Sequence, residues 1–390
     1  MSTRESRVDP RRKASGPVTV VGAGPAGLAC AVALARAGLP VIVREWHRDV
    51  GTRFHGDFQG LENWSDEQDV LDELMAAGIR ASFEHHPVSR GIVFDSRGGR
   101  YPVQSRQPLF YLVRRGSDEG SLDRALLRQA VAAGAEVRFE DRVGASRGPS
   151  VLAIGPRSAD AIAVGYLFET DGPDGAWLIL DHRLAPLGYA YLLIQGGRGT
   201  VATCLFGDFR RQADYLARTV AAFRDRADLE MRDPRPFGGF VNFRLPRSAV
   251  QGGSPVVGEQ AGFQDALAGF GMRYALRSGL LAARSILEGT DYTILWRSEL
   301  LPLLQAGTVN RFVFNLTGER GWRAAARRLG QGDAREALGR FYRPSVASRL
   351  LFPVARLRYR APLHDPSCDH IDCHCVWCEC RAEIDRTAIA

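Results

Sequence analysis

Short apolar runs and amphipathic stretches alternate along the first 290 residues. Residues 17–21, PVTVV, form a run that suits a buried parallel strand. GAGPAG follows, then the alanine- and leucine-rich LACAVALARAG, which predicts a helix ending at Gly38, and LPVIVRE, a second strand. The spacing is that of a β-turn-α-β unit of about thirty residues. A helix is predicted over 66–77, N-capped by Asp66 and stopped by Gly78, and a hairpin over 90–104 about Gly98-Gly99. Residues 121–133 read as a helix from Ser121, with AEVRFED and VLAIG as further strands. From 164 to 245 the strand patterns GYLFET, WLILD, YAYLLI and TVATCLF dominate, broken by a helix near 211–227. SPVVGE and a small-residue helix over 264–287 return to α/β character, and 291–362 is helical and basic.

Gly22-Ala23-Gly24-Pro25-Ala26-Gly27 matches G-x-G-x-x-G between strand and helix. Gly22 permits the tight turn, Gly24 lets the backbone approach a pyrophosphate, and Gly27 lets the helix pack on the sheet. The helix N-terminus stabilises phosphate charge. Glu45 closes the second strand eighteen residues after Gly27, where its carboxylate can accept from both ribose hydroxyls.

The stretch VVGAGPAGLACAVALARAGLPVIVRE resembles the opening of FAD-dependent oxidoreductases of the glutathione-reductase and hydroxylase-like group. Val257-Gly258-Glu259-Gln260-Ala261-Gly262, followed by Gly269-Phe270-Gly271 and a helix, resembles the group's late G-D-A-A-G…G-x-G segment. The resemblance implies that Glu259, where the family usually has Asp, faces the flavin's ribityl chain. It also implies that Gly258, Gly269 and Gly271 bring a helix N-terminus to the pyrimidine edge, where a helix dipole stabilises anionic reduced flavin. SLDRALLRQAVAAGAEV, APLGYAYLLI (with Tyr191 in place of a tryptophan) and the loop RFHGDFQG are similar to segments of geranylgeranyl-reductase-like flavoproteins. The resemblance spans residues 17–290. It implies that Arg115 touches the cofactor, although Glu119 occupies the place where the family's arginine is expected.

The fold class is therefore α/β: a Rossmann-type FAD-binding domain with an inserted antiparallel β-sheet substrate domain and a helical, Cys-rich C-terminal extension. The expected boundaries are a disordered arm over 1–15, a discontinuous FAD domain over 16–89, 105–163 and 246–290, and a substrate domain over 90–104 and 164–245. A basic helical extension over 291–362 and a Cys-rich tail over 363–390 complete the chain.

Composition adds two local features. Twelve arginines against three acids fall within 311–360. RFYRPSVASRLLFPVARLRYR interleaves them with apolar residues, and Pro353 should break the helix. That pattern suits either a segment on an anionic membrane surface or a basic helix docked by its apolar side. Nucleic acid is a poor match, since no binding module accompanies the charge. The second feature is Cys368, Cys373, Cys375, Cys378 and Cys380, with His364, His370 and His374 among them. Such a cluster suits zinc, an iron–sulfur centre, or a redox-active tail without metal. The polar, basic N-terminus has no apolar core behind it, so the expected location is cytoplasmic, possible peripheral membrane contact aside.

His55 lies in the Gly-flanked loop GTRFHGDFQG. An imidazole near neutral pKa could supply the proton for flavin-dependent alkene reduction, or simply bind backbone in a loop. The Asp-Gly pair usual in nicotinamide-using hydroxylases is replaced by Ile154-Gly155. The function expected first is reduction of carbon–carbon double bonds in an isoprenoid-like or other apolar small-molecule substrate. Monooxygenation and electron transfer or redox sensing are the alternatives. The electron donor is a protein or a reduced nicotinamide.

Overall fold

Four short strands make the sheet on which the dinucleotide site is built. The computed structural model describes residues 16–143, 150–156, 158–359, 374–376 and 378. Strands Glu136–Arg138, Val41–Arg44, Val18–Val21 and Ser150–Leu152 lie side by side in that order, all parallel. Their Val and Ile side chains suit a sheet covered on both faces. Helix Pro25–Arg36 covers it, burying Leu28, Ala29, Cys30, Ala31, Val32 and Leu34. Its alanines allow close approach of helices Met272–Glu288 and Leu122–Ala132. The latter is capped by Ser121, whose hydroxyl accepts from the Arg124 amide at 3.1 Å.

Seven strands form the second sheet, in the order Arg232–Val241, Ala161–Glu169, Arg198–Leu205, Tyr189–Gln195, Gly175–Leu180, Arg90–Asp95 and Arg100–Gln104. Every pairing is antiparallel except that of Gly175–Leu180 with Arg90–Asp95. The hairpin at Gly98-Gly99 thus extends this sheet. Because strand side chains alternate, Ala190, Leu192 and Ile194 face helix Gln212–Ala227 and meet Leu216, Val220 and Phe223 in one core. Their neighbours Tyr189, Tyr191 and Leu193 face the opposite way. A three-stranded sheet, Phe58–Glu62, Phe110–Arg114 and His85–Val88, joins the two halves.

Among the described residues the extension forms four helices, Tyr292–Glu299, Leu301–Leu329, Ala334–Tyr342 and Val346–Arg358. The second is kinked at Gly318, whose φ of 54° and ψ of −153° leave the helical region. Arg311 anchors it. The guanidinium is buried against the Phe206 ring, 3.6 Å away, and donates to the carbonyls of Ala266 at 2.8 Å, Leu187 at 2.6 Å and Leu267.

Three local expectations shift. The 66–77 helix is Val70–Ala76, capped by Asp69, because Asp66 is engaged by Arg277 at 2.7 Å. The late helix begins at Met272 rather than 264, since Asp265 binds the amides of Leu267 and Ala268 in a turn. Helix Val346–Arg358 continues through Pro353.

His182 joins the insert to the extension. Its Nδ1 accepts from the Leu187 amide at 3.2 Å, and its ring lies 4.3 Å from that of Trp322. Burial holds its pKa below the ordinary value, against the opposing pull of Glu319 and Asp181. A histidine with a depressed folded-state pKa favours folding above its unfolded pKa, about 6.5, and loses that contribution as pH falls through the folded value. Stability to urea should therefore decline from pH 7 to pH 5, and His182→Gln should flatten the decline. Equal declines in both proteins would place the sensitivity elsewhere.

Candidate active site

The first helix and the strands around it form a cradle whose shape is set by glycines. Gly22 has φ +107°, and a Cβ there would lie 2.3 Å from the Ala153 carbonyl oxygen. A Cβ on Gly27 would lie 2.0 Å from the Gly22 oxygen. Gly24 differs. Its φ of −77° is open to any residue, and a Cβ there meets no protein atom within 4 Å. Packing does not explain this glycine, whereas close approach of a phosphate does. Gly24 also stands at the N-cap of helix Pro25–Arg36 without a side-chain cap, so the amides of Pro25–Arg36's first turn, Ala26 and Gly27 among them, are left for an anion.

Glu45 hangs over the same loop. Its carboxylate accepts from the Ala23 amide at 2.7 Å and the His47 amide at 2.9 Å. The Trp46 and His47 rings stack beside it, 5.4 Å apart. These groups line one end of a cavity of about 1740 Å³. The residues present fit FAD: a pyrophosphate cradle, a ribose-directed acid and aromatic rings at the nucleotide end.

Further along the cavity stand Arg115, Glu259, Gly258, Gly269, Phe270 and Gly271. The N-terminus of helix Met272–Glu288 opens there without a side-chain cap. Arg115 is buried, gripping Asp123 through two bonds of 2.9 Å and lying 3.9 Å from the centre of the Phe54 ring. Burial opposes its charge, but Asp123, with Asp57 and Glu259, raises its pKa above the ordinary value. Asp123, near the start of helix Leu122–Ala132, is thus the partner of Arg115. Glu259 pairs with Arg53 at 2.8 Å, and Arg53 also reaches the Phe240 carbonyl. Sequence reasoning missed Arg53. It lies only two residues before His55, but its partner is more than 200 positions away.

Beyond this point the walls are apolar. One is the seven-stranded sheet, through Ala176, Leu178, Tyr189, Tyr191, Leu193 and Phe237. The facing wall is the extension, through Val313, Phe314, Trp322, Leu329, Leu338 and Phe341. Tyr189 donates to the Ala268 carbonyl. The phenol pKa values of Tyr189 and Tyr191 and the thiol of Cys204 are all pushed up by burial, the thiol to about 12, so all three are protonated at neutral pH.

His55, the catalytic candidate of the loop, stands apart from the cavity wall. Its side chain is exposed and is not among the residues lining the cavity, and its backbone amide donates to Asp57 at 3.1 Å. The positive φ of Gly56, +92°, turns the chain there. Phe54, Asp57 and Gln59 of the same loop do line the cavity.

Of the tail's five cysteines, Cys375 and Cys378 are among the described residues. Cys375 is buried in an apolar cluster with Ile162, Leu205, Phe209, Tyr215 and Phe240, with Cys378 at its margin. Gln212 fixes this segment through the His374 carbonyl at 3.1 Å and the Val376 amide at 3.0 Å. Cys368, Cys373 and Cys380 lie outside the described residues, as do His364 and His370. Among the described residues no group of three or more His, Cys, Asp or Glu is arranged to hold a metal ion. No helix among them is long and apolar enough to cross a membrane.

A family model described as an NAD(P)-binding Rossmann-like domain matches residues 20–60. No match is found among curated proteins. Solved structures match over nearly the whole chain. A geranylgeranyl bacteriochlorophyll reductase-like protein from Thermoplasma acidophilum superposes with a TM-score of 0.68 at 18% identity, covering 88% of this chain and 96% of its own. The two chains share a fold. A myxobacterial chondrochloren halogenase, described as FAD-dependent, is similar with a TM-score of 0.58 at 17% identity, over 87% of this chain and 96% of the halogenase. A peptidyl tryptophan dihydroxylase reaches 0.52 at 20% identity, over 87% and 78%. At such identities the likeness is one of fold, and chemistry has to be argued from the site.

Proposed function

We propose that this flavoprotein reduces carbon–carbon double bonds in a long, apolar, isoprenoid-like substrate. One observation carries the reading: the dinucleotide cradle continues without interruption into an apolar gallery between the sheet and the C-terminal helices. The combined volume, about 1740 Å³, exceeds the roughly 300–1,000 Å³ of an ordinary single-ligand pocket. There is room for a cofactor and a second molecule. The reductase-like neighbour has the same fold.

FAD, when bound, supplies the hydride. The chain's residues do the rest. Gly22, Gly24, Pro25, Ala26, Gly27 and Glu45 bind the nucleotide end. Arg115, Gly258, Glu259, Gly269 and Gly271 surround the other. The gallery orders the alkene and excludes water. Saturating the bond takes a hydride on one carbon and a proton on its neighbour. Tyr191 holds a proton at its phenolic oxygen inside the cavity, and we assign it this role in place of His55. A reduced nicotinamide or a donor protein must then restore the two electrons consumed.

The test is anaerobic reduction of the purified protein followed by challenge with a polyprenyl alkene or with oxygen. Reoxidation should be faster with the alkene. Tyr191→Phe should slow it by about 10²–10⁴, the usual worth of a general acid, while FAD retention stays unchanged. His55→Ala should leave the rate unchanged. A monooxygenase is the second reading, favoured by the dihydroxylase that shares the fold. Rapid oxygen consumption with a hydroxylated product would replace the first reading by the second.

A further inference from the structure

Helix Val346–Arg358 has its apolar side outward. Val346, Leu350, Val354 and Leu357 recur at i, i+4, i+8 and i+11, which places them in one stripe of a 3.6-residue helix. They are 72%, 74%, 52% and 55% exposed, and Leu351 at the stripe's edge is also exposed. Within the helix only Ala355 is buried, on the side away from the stripe. Arg349 and Arg356 flank the stripe on one side and Arg358 on the other, all exposed. An apolar stripe bordered by arginines, with its back to the protein, is the pattern of a helix lying in a bilayer interface.

The neighbouring helices continue this face. Helix Leu301–Leu329 packs on Val346–Arg358 and leaves Val313 and Leu316 exposed. Asn310 ties it to the Phe341 carbonyl at 2.8 Å, and Phe341 is exposed as well. Val313 and Phe341 also line the cavity. The apolar gallery therefore reaches the surface on the helices that carry the exposed apolar residues.

Charge identifies the occupant. From 337 to 360 the sequence holds six arginines and no Asp or Glu. A second copy pairing through this face would set arginines against arginines, whereas an anionic bilayer complements them. We propose that the chain docks on anionic lipid through helix Val346–Arg358, and that apolar substrate enters the gallery from the bilayer at Val313 and Phe341. The choice of substrate rests on the reductase reading, but the docking does not.

Cosedimentation of the full-length protein with vesicles of phosphatidylcholine, with and without about one-third phosphatidylglycerol, tests this. The protein should pellet with the anionic vesicles only, less so as salt rises. L350E/V354E should reduce the bound fraction at least tenfold while leaving the melting temperature and the FAD content unchanged. R349Q/R356Q should weaken binding and its salt dependence together. Vesicle binding that persists in L350E/V354E would overturn the proposal. So would absence of binding with wild-type protein that dimerises in light scattering, or a fall in the melting temperature of L350E/V354E without any wild-type vesicle binding. Those two results would assign the stripe to a second copy or to an intramolecular contact. Vesicle binding by a protein that reduces no alkene would leave the docking standing and remove the reductase reading.

Discussion

Gly24→Val should yield a folded, colourless protein. The Gly24 backbone already adopts angles open to any residue, and no protein atom lies within 4 Å of where its Cβ would be. A valine therefore costs the apoprotein little. The same side chain would project into the space where the loop meets the pyrophosphate, and it cannot be moved aside without unwinding the first turn of helix Pro25–Arg36. Cofactor retention should fall by at least about a hundredfold, the loss of roughly 3 kcal/mol expected when a buried, charge-assisted contact is broken. The contrast with Gly27→Ala makes the test specific. There the new Cβ would sit 2.0 Å from the Gly22 oxygen, so the fold itself should suffer. The absorbance ratio of flavin to protein, measured beside apoprotein melting temperatures, separates the two. Normal yellow Gly24→Val protein would mean that the pyrophosphate is held elsewhere, and release of FMN rather than FAD from wild-type protein would remove the dinucleotide reading altogether.

The dinucleotide half of the molecule is legible because its determinants are local. Gly22, Gly24, Gly27 and Glu45 fall within one β-turn-α-β unit, and each position answers to backbone geometry that composition reveals. The insert strands were readable for the same reason, since period-two alternation places Tyr189, Tyr191 and Leu193 on one face and Ala190, Leu192 and Ile194 on the other. Long-range pairing escapes this reasoning. Arg53 meets Glu259 across more than 200 positions, and nothing near Arg53 in the sequence announces its partner. Burial escapes it as well. His55 and Asp57 look equivalent in a Gly-flanked loop, yet the turn at Gly56 leaves the histidine in solvent and Asp57 beside the cavity. Cys375 reads as a metal ligand from its spacing, and nothing near it in the sequence announces that it is buried beside Phe209 and Phe240, with Gln212 bonding its neighbours His374 and Val376.

Asp123→Ala should destabilise the apoprotein by about 3–5 kcal/mol, the usual cost of leaving one member of a buried ion pair uncompensated. The pair needs no discount for solvent screening, since the Arg115 and Asp123 side chains are only 6% and 1% exposed. Asp123 also accepts from the Gly116 amide at 3.0 Å, so a backbone donor loses its partner as well, while the guanidinium keeps its bond to Gln59 at 3.3 Å. Asp57 and Glu259 still attract Arg115, which places the expectation toward the lower end of the range. The double variant R115M/D123L removes both charges and keeps their volume. Urea denaturation should show most of the lost stability restored, because well-packed apolar replacements of a buried ion pair are often neutral. Flavin retention should not return with it if Arg115 contacts the cofactor, since methionine offers no donor. A double variant that is stable and still yellow would confine Arg115 to holding the loop around Phe54 in place. A double variant as unstable as Asp123→Ala would mean that the orphaned Gly116 amide, rather than the unpaired charge, sets the cost.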